Sequence, residues 1–102
     1  MESRLELQAM LEDILGSPNV YFQPPASVEM EFDAIVYRRK EIDNTYANDF
    51  VYKQDHAYEV IAIFKDPESD LPIKISLLPT CSFDRHYTAD NLNHDVFTLY
   101  HT

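Results

Sequence analysis

Residues 57–64 read AYEVIAIF, and this stretch decides the fold. Glu59 is its single charged residue. Tyr58, Val60, Ala62 and Phe64 fall on one side of an extended chain, Ile61 and Ile63 on the other. Successive side chains alternate across a strand, so both faces here are apolar and the segment belongs at the centre of a sheet. Upstream, Ala34-Ile35-Val36-Tyr37 has the same two-sided character. Before it, Val28, Met30 and Phe32 alternate with Glu29, Glu31 and Asp33, which predicts a strand beginning half-buried at Val28. Val20-Tyr21-Phe22 is a short β-prone run, ended by Gln23-Pro24-Pro25 because proline has no N–H for a ladder. Downstream, residues 81–88 read as a strand, ADNLNH (89–94) as a turn or loop, and DVFTLY (95–100) as a last strand at a sheet edge.

Two helices complete the pattern. In residues 3–16, Leu7, Leu11, Ile14 and Leu15 line one face with Met10 beside them. Ser3 and Glu6 have capping-box spacing, Gly16 fits the residue just past the helix end, and Pro18 blocks continuation. A short second helix is expected after Asp66-Pro67, capped by Ser69, with Pro72 in its first turn and Leu71, Ile75 and Leu78 on one face. The fold class is therefore α+β: one domain over 1–102, a small mixed or antiparallel sheet, and both helices on one face. Residues 38–55, RRKEIDNTYANDFVYKQD, are polar with Tyr46, Phe50 and Tyr52 interleaved; they read as a long β-hairpin tip or a mobile arm.

Composition narrows the function. The 102 residues carry 18 Asp plus Glu against 8 Lys plus Arg, a formal charge of −10. Such a surface repels nucleic-acid phosphates and anionic membranes, so neither is expected as a partner, although it suits a wall past which DNA must slide. One glycine leaves no phosphate-binding loop. Cys81 is the only cysteine, which excludes an intrachain disulfide and fits a reducing, intracellular setting. The first residues, MESRLELQAMLED, have no apolar signal core, and no run is long enough to span a membrane.

Candidates for chemistry are few. His86 and His94 flank a segment with Asp84, Asp90 and Asp95, but their spacing fits no zinc pattern, and turn-holding hydrogen bonds account for them as well. Cys81 and His86 stand five apart, on opposite faces of a regular strand, so a thiol–imidazole pair is not expected and Cys81 reads as a small core residue. Neither a catalytic residue, nor a metal ligand, nor a cofactor is assigned. Arg38-Arg39-Lys40 is the only basic run and is followed at once by Glu41 and Asp43; it is either a solvated strand end or a docking patch for an acidic neighbour. The aromatics Tyr46, Phe50 and Tyr52 either anchor a partner or fold back on the sheet.

Four stretches, SRLELQAMLEDILG (3–16), VYFQPP (20–25), CSFDRHYTADNLNHD (81–95) and VFTLY (96–100), resemble the small tail-completion, or tail-terminator, proteins of long-tailed bacteriophages. The resemblance implies a virion neck protein, assembled in the host cytoplasm and not an enzyme. Six copies would close a ring on the tail tube, end tube polymerisation, and present a surface to the head-completion or connector protein, with DNA passing through the lumen unbound. On that reading Arg38, Arg39, Lys40, Tyr46, Phe50, Tyr52, Arg85 and His94 make the contacts, and the final strand pairs with a neighbour through its open edge. Three other readings are a head-completion protein between portal and tail, a small His-based metal-binding hydrolase, and an acidic adaptor for a basic partner.

Overall fold

The computed structural model describes the backbone of residues 3–47 and 50–100, and side chains over 4–40 and 56–100. The elements run α1 (Ser3–Leu15), β1 (Val20–Phe22), β2 (Ala34–Ala47), β3 (Phe50–Phe64), α2 (Leu71–Ser76), β4 (Cys81–Ala89) and β5 (Leu92–Tyr100). They form one five-stranded sheet ordered β1-β2-β3-β5-β4. β1 is parallel to β2 and every other pairing is antiparallel, so the sheet is mixed. The fold is α+β.

Strand β3 lies at the centre, as its two apolar faces require. Its Tyr58, Val60, Ala62 and Phe64 join Ile35 and Tyr37 of β2, Val20 of β1 and Phe97 and Leu99 of β5 in one core, closed by Leu7 and Leu11 of α1 and Leu71 and Ile75 of α2. Leu7, Leu11 and Ile75 are fully buried, each removing roughly 1.5–3 kcal/mol of apolar surface from water. Both helices therefore cover the same sheet face. Helix α1 stops where Gly16 takes φ +77° and donates its N–H to the carbonyl of Glu12 at 2.8 Å, a left-handed cap that glycine adopts without a Cβ penalty.

Four expectations are corrected. Residues 28–33 are not a strand: β1 and β2 are parallel, so the chain must return between them, and 23–33 is that connection. The Glu31 N–H donates to the Tyr21 hydroxyl at 3.2 Å, and Tyr21 is the register partner of Val36, which places the connection on the face opposite the helices. Residues 89–94 are not a loop: Asp90 and Asn91, with φ 53° and 61°, make a two-residue turn and the ladder resumes at Leu92. The last strand is consequently interior, between β3 and β4, with Val96, Phe97 and Leu99 buried; β4 is the edge. At α2 the cap position is Asp70, without a side-chain cap bond, while Ser69 Oγ accepts the Leu71 N–H at 3.2 Å. Helix α1 starts at Ser3, whose side chain is outside the described residues.

Candidate functional site

The ladder between β2 and β3 does not stop with the sheet. β1 pairs with β2 only as far as Tyr37, and β5 pairs with β3 only to Ala57. Beyond these points β2 and β3 continue as a two-stranded ribbon, with registers Ile42↔His56, Asn44↔Gln54, Tyr46↔Val51 and Ala47↔Phe50. At about 3.4 Å per residue it projects about 20 Å. The chain measures 51 × 26 × 23 Å. Residues 38–47 and 50–55 thus form two paired strands, the first of the two readings that the sequence left open. Tyr46, Phe50 and Tyr52 have their backbones in the ribbon, and their side chains lie outside the described residues.

The remaining predicted contact residues divide between the two faces. Register partners share a face, so Arg38, Glu59, Thr98 and Ser82 form one row across the face opposite the helices. Val36, Ile61, Val96 and Arg85 form the next, and Ala34, Ile63, His94 and Tyr87 a third. Arg38 is held within the chain: its Nε donates to Glu59 Oε1 at 2.7 Å and its Nη2 lies 2.5 Å from the same oxygen. Lys40 Nζ donates to Thr98 Oγ1 at 3.3 Å on the same side. Arg39 lies on the helix side, its guanidinium 5.9 Å from the centre of the Tyr58 ring. Beside β1, Gln23, Pro24, Val36, Arg38 and Arg39 line an open groove of about 350 Å³. Arg85 pairs with Asp84 at 2.9 Å and sits over Tyr87, whose ring stacks on His94 at 4.6 Å. The face opposite the helices therefore carries Arg38, Lys40, Arg85 and His94 around a buried aliphatic centre, and Arg39 stands apart.

Among the described residues, the candidate His, Cys and Asp side chains are spread over both faces of the sheet. His86 Nδ1 meets Asp95 Oδ1 on the helix side, while His94 lies on the opposite face with Nδ1 3.1 Å from the Leu92 carbonyl. Among the described residues no three His, Cys, Asp or Glu side chains could hold a metal ion. A bulge between Phe83 and Arg85 overturns the expectation that Cys81 and His86 face opposite ways. Cys81 registers with Leu99 and His86 with Asp95, which puts both on the helix side. Four residues of β5 still separate the two rows, about 13 Å, so no thiol–imidazole pair forms. Burial raises the Cys81 thiol pKa above 9.0, which keeps it neutral and poorly nucleophilic.

A polar network joins α1 to the sheet. The Tyr37 hydroxyl donates to Gln8 Oε1 at 2.5 Å and receives Arg4 Nη1 at 3.3 Å. Gln8 Nε2 donates to the Val20 carbonyl at 3.0 Å and Arg4 stacks over Phe22 at 4.5 Å. Burial raises the Tyr37 pKa above 10.0, partly offset by Arg4. Every group is used to fix α1, so the network is structural.

Two features escaped sequence reading. The edge strand β4 is exposed at every position after Cys81, and Phe83 is 56% exposed although it meets Phe97 edge-on at 5.6 Å. On α2, Ile73 and Leu77 are 63% and 78% exposed, the opposite side from Leu71 and Ile75. Their i, i+4 spacing was a signal, but Ile73 and Ile75 equally suited a strand. Among the described residues no helix is long and apolar enough to cross a membrane. Neither a family model nor a curated protein matches the sequence.

Proposed function

We propose that this chain is a structural assembly subunit of the tail-terminator kind. Six copies close a ring that caps a phage tail tube, ends its polymerisation and meets the head-side connector, with no catalysis. The carrying observation is the ribbon beyond Ala57: a two-stranded hairpin is marginal in water on its own, and this one extends clear of its own core. A partner surface would supply the burial that its own domain does not. Among the described residues, the His, Cys and Asp side chains are scattered over both sheet faces, which favours a contact role over a reaction centre. The four resembling stretches supply the kind of assembly, and the −10 charge suits a lumen through which DNA slides. The test is tube polymerisation with the cognate tail-tube protein. Addition of this subunit is expected to give shorter tubes, each bearing a ring at one end in negative stain. Tubes of unchanged length without caps would overturn the reading.

A further inference from the structure

Two sets of unpaired backbone groups stand on one molecule and cannot reach each other. One is the ribbon, whose strands have no third neighbour beyond Tyr37 and Ala57. The other is the outer edge of β4, nine residues from Cys81 to Ala89 with β5 on one side only. The Tyr100 N–H donates to the Thr80 carbonyl at 3.3 Å, and bonding alternates along an antiparallel ladder. The N–H of Phe83 therefore points to the open side, while that of Cys81 is already donated to the Leu78 carbonyl at 3.3 Å. Since β5 lies between β3 and β4, and the ribbon runs on past the end of β5, the two edges can meet only between copies.

We propose that the ribbon of one copy pairs along the β4 edge of the next, head to tail, extending one sheet into its neighbour. This rests on the assembly reading above and names its contact. Length fits: residues 40–47 offer eight positions to the nine of β4. Apolar surface fits as well. Phe83 is exposed on β4, Ile73 and Leu77 are exposed on α2, which packs against β4, and the ribbon's sequence supplies Ile42, Tyr46, Phe50 and Tyr52. Charge is spread unevenly. Arg38, Arg39 and Lys40 stand at the base of the ribbon, residues 41–56 hold Lys53 against Glu41, Asp43, Asp49 and Asp55, and the rest of the chain holds four bases and fourteen acids. Body-to-body contact between copies is the most repulsive pairing, and the ribbon with its basic base is the less acidic part of the chain. Such an interface is heterologous, with different patches meeting, and closes into a ring or continues as a filament.

The test uses two variants. One replaces residues 42–55 by an Asn-Gly turn. The other is Phe83→Pro, which removes an outward N–H at an edge position where proline is tolerated. Each alone is expected to be a monomer by light scattering. Mixed, they are expected to give a complex of two chains that grows no further, because one intact ribbon and one intact edge remain. In the wild type, cross-linking of a mixture of ordinary and nitrogen-15 chains is expected to join Lys53 of one copy to Lys74 of another. That readout stands even if Phe83→Pro fails to fold. Wild-type oligomers that persist without the ribbon, or between-copy cross-links confined to Lys53–Lys53, would overturn this contact and leave the assembly reading in place. A wild type that is monomeric at every concentration would overturn both.

Discussion

Tyr37 and Tyr58 are both fully buried, their rings 6.0 Å apart, yet their hydroxyls stand in opposite circumstances. That of Tyr37 donates to Gln8 at 2.5 Å and accepts from Arg4. That of Tyr58 is buried with no hydrogen-bond partner among the described residues. Replacing either by Phe keeps the ring and removes one oxygen. Tyr37→Phe strands the Gln8 carbonyl oxygen; because Gln8 is only half-buried and water can reach it, the cost is expected near the lower half of the usual range, about 1–2 kcal/mol. For a domain of this size each kcal/mol moves Tm by about 4–8 °C, so Tm should fall by about 5–15 °C. Tyr58→Phe removes a desolvated group without a partner, and stability should stay level or rise by up to about 1 kcal/mol. Urea unfolding followed by circular dichroism measures both, and the dependence on urea should keep its slope. Equal losses in the two variants would refute the reasoning, since they would mean that the Tyr58 hydroxyl holds a bond as good as that of Tyr37.

Other expectations follow from the same geometry. Leu11→Ala leaves a cavity under α1 at a fully buried site and should cost about 2–5 kcal/mol in the same urea assay. The raised pKa values of Cys81 and Tyr37 mean that the folded state holds its protons longer than the unfolded chain. Their contribution to stability should therefore be level below pH 9.0 and decline as pH rises past 9.0 and then 10.0; Cys81→Ala should flatten the first part of that decline in urea midpoints taken across the alkaline range. Arg39→Glu should leave the melting temperature within a few degrees, because its side chain is exposed and no ion pair holds it among the described residues, while the fraction of assembled protein in sedimentation velocity drops. Arg38→Glu breaks the pair with Glu59, whose side chain is only 14% exposed, and sets two carboxylates together, so it should cost more than the roughly 1 kcal/mol of a fully exposed pair; a loss in thermal melts no larger than that of Arg39→Glu would contradict this.

Much of this fold is legible in residue order, and the failures have physical causes. AYEVIAIF could only be central, because no other place buries both its faces. The stripe Leu7, Leu11 and the stop at Gly16 fixed α1 in the same way. The alternation over 28–33 misled, since a connection lying on a sheet face also buries every second residue, and only the parallel pairing of β1 with β2 reveals it. Asp90-Asn91 makes a turn usually marked by glycine, so a hairpin read as a loop and the last strand was placed at the wrong side of the sheet. The bulge after Phe83 shifts every later side chain of β4 by one face, and period alone does not register an inserted residue. Of the proposed site, the ribbon was visible in the polar-aromatic run 38–55. Its partner edge was not, because whether a strand is an edge depends on pairings made elsewhere in the chain.

The central claim is that this chain completes itself against copies of itself. Native mass spectrometry of the wild-type protein measures that directly. Each chain weighs 11.9 kDa, and the expected spectrum is dominated by a closed assembly of six, with intermediates held together by single contacts. A spectrum of single chains alone, at concentrations up to about 100 µM where even weak heterologous contacts of micromolar affinity are occupied, would contradict it.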